Sequence, residues 1–183
     1  MAHIHTETGQ HDHTASAFIL RVDEEGPKLL LHNHKILNVL LQPGGHVDLH
    51  ENVWQAVLHE IVEETGYELE QLQILQPEGY SFPELKESVL HPTPVLTSTH
   101  QFGKEKGKHY HTDTTYAFVS FEEPKNRPAE GESADLRWVG YTELSAFTAD
   151  EIVPDVQTIG KAIFEHHYIF WKPIDLAEFE THL

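Results

Sequence analysis

The sequence predicts a single α/β domain on three observations: short apolar runs bounded by turn residues that read as strands, an amphipathic helical pattern over residues 52–65, and a second helical pattern over residues 155–170. A chain of 183 residues with 39% hydrophobic content can bury one real core. Residues 1–13 are polar and His-rich and are expected to be disordered or loosely packed, which leaves residues 14–183 as the one domain. There is no internal repeat.

Residues 14–22 read as a strand, and Asp23-Glu24-Glu25-Gly26-Pro27 as a turn into a second apolar run, 29–31, so these two form a hairpin. A third run, 39–41, ends at Gln42-Pro43-Gly44-Gly45, which forces a sharp turn before His46 and Val47. In the helix that follows, Val53, Trp54, Val57, Leu58, Ile61 and Val62 recur at the spacing of one broad apolar face, and Gly66 stands at the usual C-terminal cap position. Strand-like runs follow at 72–75, 95–102, 110–121 and 136–139, separated by a Pro-bearing loop, 81–94, and a polar loop, 122–134. In the last helix Val156, Ile159, Ile163, Phe164 and His167 share a face, and Pro154 suits its first turn.

Composition excludes several functions. Cysteine is absent, so there is no disulfide, thiolate metal site or cysteine nucleophile, and any metal must sit on oxygen or imidazole. Twelve Lys plus Arg against 30 Asp plus Glu give a net charge of -18, which repels anionic lipid and argues against long nucleic acids as partners. A small anion can still bind if a metal ion neutralises it locally. No apolar run reaches the roughly 18 residues of a membrane span, and the start is unlike a secretory signal, so a cytoplasmic location is expected.

On the first helix, Glu60, Glu63 and Glu64 fan across an arc of about 100° beside the apolar face. Three like charges repel on an exposed helix, a cost that a bound cation reverses, and hard ions such as Mg²⁺ choose oxygen ligands of this kind. An acidic, solvated face is the other reading of such a helix. The Pro-Gly-Gly turn just before it favours the metal, because its backbone offers a carbonyl to a cation and amides to an anion.

Residues 45–67 resemble the Nudix box. That pattern is Gly, five residues, Glu, seven residues, Arg-Glu, an aliphatic residue, any residue, Glu-Glu, any residue, Gly and a bulky apolar residue. Gly45, Glu51, Glu60, Ile61, Glu63, Glu64 and Gly66 match it, Tyr67 is a variant of the last position, and His59 stands where the family has arginine. Leu136-Arg137-Trp138-Val139 followed by Glu143-Leu144 is similar to the family's late strand and short helix.

The resemblance implies an α/β/α sandwich around a mixed β-sheet, and a pyrophosphohydrolase in which metal-activated water attacks the phosphoanhydride of a nucleoside diphosphate linked to another group. It implies Mg²⁺ or Mn²⁺ on Glu63 and Glu64, Glu60 as ligand or general base, the Gly45 carbonyl as a further ligand, and Glu51 as a residue that orients the loop. With His59 for arginine, the box is expected to be less firmly braced but competent. Isopentenyl diphosphate isomerases share this fold and metal logic, but they rely on a cysteine that is missing here. A binding or regulatory module without catalysis is the alternative, opposed by the intact Glu60, Glu63 and Glu64. A homodimer is left open.

Outside the box, His46 beside the glycine turn is a candidate for the substrate pocket. His109, His111 and Asp113 alternate along one strand face, either as a half-exposed surface or as substrate or metal contacts. Lys104, Lys106 and Lys108 are the one local concentration of positive charge, either a clamp for distal phosphate or a solvated hairpin tip. Asp113, Glu130 and Glu132 are unranked candidates for an extra acidic ligand, and Trp138 and Phe102 are expected in the core. His3, His5, His11 and His13 are either a Zn²⁺ or Ni²⁺ site or simply a polar start.

Overall fold

The protein is described here by a computed structural model, which defines residues 7–35, 37–79, 85–102 and 108–179. Its centre is a long parallel pair, β1 (His11–Asp23) with β7 (His109–Ser120), in register from His11 opposite Tyr110 to Arg21 opposite Ser120. Each of the two changes partner along its outer edge. The start of β1 pairs antiparallel with β4 (Gly44–His46) and its end with β2 (Gly26–Asn33). The start of β7 pairs with β6 (Leu96–Phe102) and its end with β5 (Gln73–Pro77). Adding β3 (Leu40–Leu41) and β9 (Trp171–Asp175) gives the order β3-β2-β1-β7-β5-β9, with β8 (Leu136–Val139) on β2.

Alternation along the central strands sends successive side chains to opposite faces, and each face is covered. Ala15, Ala17 and Ile19 of β1, with Tyr116 and Phe118 of β7, lie under α1 (Val53–Thr65) through Trp54, Val57 and Ile61. Phe18, Leu20, Ala117 and Val119 lie under α2 (Tyr141–Ala146), α3 (Pro154–Ala162) and the turn that continues it, through Leu144, Val156, Ile163 and Phe164. The result is the α/β/α sandwich on a mixed sheet that the sequence implies.

Helix α1 begins and ends where its sequence signals predict. The Asn52 side chain accepts from the amides of Trp54 and Gln55, both at 3.0 Å, while the Gln55 side chain accepts from the Asn52 amide at 2.9 Å, a reciprocal capping box. Gly66 closes it at φ 76°, its amide donating to the Val62 carbonyl, and a Cβ there would stand 2.3 Å from the Asn126 carbonyl oxygen. Tyr67, buried in the core, sends its hydroxyl to the Glu122 carbonyl at 2.9 Å, which is how the box tolerates a phenol at its last position.

Several boundaries differ from the sequence reading. Strand β1 starts at His11 rather than residue 14, because β7 continues alongside it; the Tyr110 amide donates to the Gln10 carbonyl at 2.8 Å. Gly44–His46, read as a turn, is a short strand on β1. The second helix has the expected Pro154 at its start but passes through a π-helical turn at Ile163–His167 before a last turn, Tyr168–Phe170. Strand β9 was not foreseen, since Pro173 discourages a strand reading; as an edge strand it tolerates the missing amide. Phe102, expected in the core, is 36% exposed.

Trp54 is the anchor of α1, fully buried, stacked on Phe118 at 6.0 Å and edge-on to Tyr116 at 5.4 Å. Trp54→Ala is expected to cost roughly 3–5 kcal/mol of stability, measured by denaturant unfolding.

Candidate functional site

Glu60 and Glu64 lie one helical turn apart on α1, and both are buried against the β4 backbone. Glu64 Oε2 accepts the Gly44 amide at 2.8 Å. A Cβ built on Gly45 would lie 2.1 Å from Glu60 Oε1, so any other residue there would displace that carboxylate from its present place. At Gly44, φ is 152° and a Cβ would stand 2.5 Å from the Ala15 carbonyl oxygen, so this position is closed to other residues.

Such carboxylates resist ionisation. Burial pushes Glu60 up to about 7, with the charges of Glu63 and Glu132 adding and His59 opposing. Burial pushes Glu64 up to about 8, against the lowering effect of the Gly44 amide and with Glu60 and Glu132 adding. Glu60 Oε1 is buried with no hydrogen-bond partner among the described residues, an expensive arrangement unless a proton or a cation completes it. A donor set of carboxylate oxygens and backbone fits a hard divalent ion.

Glu63 is placed differently. Its side chain is 45% exposed and meets His59 Nε2 at 3.0 Å, while His59 Nδ1 stands 3.6 Å from Glu51. Glu51 in turn accepts the Asp48 amide at 2.9 Å, holding the loop that enters the helix. His59 thus bridges two acids across the box. Burial lowers its pKa, but the hydrogen bond to Glu63 and the charges of Glu63, Glu51 and Glu60 outweigh this and raise it overall, favouring the cationic brace.

The other candidates separate. His46, His109 and His111 come together on the sheet face opposite α1, at the split end of β1 and β7; His46 and His111 have ring centroids 5.0 Å apart. Lys108 is half-buried at the entry to β7, while Lys104 and Lys106 lie outside the described residues. Asp113 is fully engaged by hydroxyls, accepting from Thr14 at 2.9 Å, Ser16 at 2.8 Å and Thr115 at 2.7 Å, so it is a structural carboxylate. Of the remaining acidic candidates, Glu132 is the one whose charge acts on both Glu60 and Glu64. His32 is buried in β2, and burial, then His34, lowers its pKa to about 4, so it is a neutral core histidine.

The sequence reading missed Asp12, which is 2% exposed beside this imidazole group. Its signal was the alternation Asp12-Thr14-Ser16, in phase with the buried residues of β1 but counted as part of a loose tail.

Because the unfolded carboxylates titrate near 4.5 and the folded ones near 7 and 8, the folded state holds more protons in between, and metal-free stability falls as pH rises through that window. Melting temperatures in chelator should drop between pH 4.5 and 8, a slope that Glu60→Gln with Glu64→Gln should flatten.

The match to known proteins agrees with this geometry. Residues 12–157 match the family model described as NUDIX domain. A Nudix-family hydrolase structure from Clostridium perfringens is 26% identical with a TM-score of 0.65, covering 84% of this chain and 96% of its own. An Ap4A hydrolase from C. elegans, in a binary complex, shares the fold at 17% identity and a TM-score of 0.55, over 84% of this chain and 98% of its own. The NUDIX domain of Shewanella oneidensis NrtR, complexed with ADP ribose, does so at 15% identity and 0.57, over 87% and 89%. No curated protein sequence matches. With the family model spanning most of its length and Glu60 and Glu64 of the box gathered against Gly44 and Gly45, the chain belongs to the Nudix family and is a hydrolase acting on pyrophosphate bonds.

Proposed function

We propose that this hydrolase cleaves the phosphoanhydride of a nucleoside diphosphate linked to another group, with Mg²⁺ or Mn²⁺ held by Glu60 and Glu64 and supplemented by Glu63 and the Gly45 carbonyl. The observation that carries this reading is the buried Glu60–Glu64 pair pressed on a glycine backbone, with one Glu60 oxygen left for a ligand. When bound, the cation neutralises the diphosphate and acidifies attacking water. Glu60 is proposed as a ligand or as the general base for that water. Glu132 is the proposed acidic contribution from outside the box.

The chain's own residues do the rest. His59 holds Glu63 and Glu51 in one frame, standing in for the bracing guanidinium. Lys104, Lys106 and Lys108 are proposed to receive the anionic remainder of the substrate, offsetting the -18 charge that opposes its approach. The Ap4A hydrolase and the ADP-ribose complex among the similar structures support a nucleotide-type diphosphate as substrate. No described helix is long and apolar enough to cross a membrane.

A panel of nucleoside triphosphates, nucleotide sugars, dinucleoside polyphosphates and ADP-ribose, assayed with Mg²⁺ and Mn²⁺, tests the activity. Glu64→Gln should lower turnover of the best substrate by about 100-fold or more; turnover unchanged by Glu64→Gln or by chelator would defeat the reading. His59→Arg should alter kcat by less than about tenfold, since the native imidazole already links both acids. A larger gain would mean that the brace is defective.

A further inference from the structure

We propose that Asp12, His46 and His111, with His109 beside them, form a second metal site, for a borderline ion of the Zn²⁺ class, on the sheet face opposite the α1 carboxylates. One ligand atom from each of Asp12, His46 and His111 lies within 4.8 Å of the others. Asp12 Oδ2 stands 3.8 Å from both His46 Nε2 and His109 Nε2, and His109 Nε2 stands 3.2 Å from His111 Nε2. Donors held at 2.0–2.1 Å around a tetrahedral Zn²⁺ are roughly 3.3 Å apart, so these separations need only small closure onto an ion.

The donors are set by strand pairing rather than by loops. Asp12 is opposite His111 across β1 and β7, and His46 joins from β4, which pairs with the same stretch of β1. Asp12, His109 and His111 are each under 10% exposed. Imidazole nitrogen with one carboxylate suits Zn²⁺, whereas Mg²⁺ and Ca²⁺ prefer oxygen throughout, so the two faces of this domain select different ions. Phe102 stacks on His111 at 4.7 Å and His100 packs edge-on to it at 5.4 Å, an outer layer that fixes the ring. Asp12 also lines a cavity of about 420 Å³ with His13, Val47 and His91.

The site is linked to the carboxylates through one peptide bond. His46 follows Gly45 directly, so an ion on its imidazole ties the β4 strand that Glu60 rests against to β1 and β7. Loading should therefore raise the melting temperature even when the α1 carboxylates are disabled.

The test uses the full chain carrying Glu60→Gln and Glu64→Gln to remove the oxygen site, and His3→Gln with His5→Gln to remove the tail imidazoles, in millimolar Mg²⁺. Zn²⁺ bound per chain is measured by mass spectrometry after dialysis, and Co²⁺ by its visible absorption. The expected result is one equivalent of Zn²⁺, an intense tetrahedral Co²⁺ spectrum, and a raised melting temperature. His46→Ala should weaken binding by about 10–100-fold and His111→Ala by at least as much. Circular dichroism checks that His111→Ala folds, and the half-buried His46 gives a second variant if it does not. Absence of stoichiometric Zn²⁺, or binding unchanged in folded His46→Ala, would overturn the site.

Discussion

The contact between a glycine backbone and a buried glutamate organises this domain. A single carbon at residue 45 would overlap the Glu60 carboxylate, and the amide of residue 44 is a donor to Glu64. Strand β4 therefore meets the α1 carboxylates as bare backbone. The cost of burying two carboxylates side by side falls on the same spot, and it is offset when a proton or a cation arrives. The capping box at Asn52, the Gly66 cap and the Trp54 anchor all serve to hold the helix at that distance.

The partner change along β1 and β7 explains why one turn of chain can serve both faces. Where β1 leaves β2 for β4, the alternation of side chains puts Gly45 toward α1 and His46 toward the opposite face. The carboxylates are thus gathered on one side of the sheet and the imidazoles on the other, separated by a strand only three residues long. Beyond the split, the same two strands carry the apolar residues that build both cores, so the rigid part of the sandwich supports the polar end directly.

Histidine in the arginine position is accommodated by geometry rather than by equal strength. An imidazole has two nitrogens on opposite edges, and His59 uses one toward Glu63 and one toward Glu51. The surrounding acids favour its charged form, which narrows the difference from a permanently charged guanidinium. Both His59 and Glu63 remain partly exposed, so the brace is softened by solvent and stays weaker than a buried pair.

By itself the sequence determined the local and periodic features: the α1 span and its Gly66 cap, the β1–β2 hairpin, the helix opened by Pro154, and a glutamate array following a Pro-Gly-Gly turn. These depend on spacing and on residue chemistry within a few positions, which a linear reading captures. Only the tertiary structure decided which acids are buried together. Glu60 and Glu64 are drawn inward while Glu63 is taken by His59, and Asp113 is satisfied by three hydroxyls from β1 and β7. Asp12 likewise entered the site only through parallel pairing with a strand almost a hundred residues later. Register between distant strands is a property of packing, and no local pattern encodes which two polar side chains it will bring face to face.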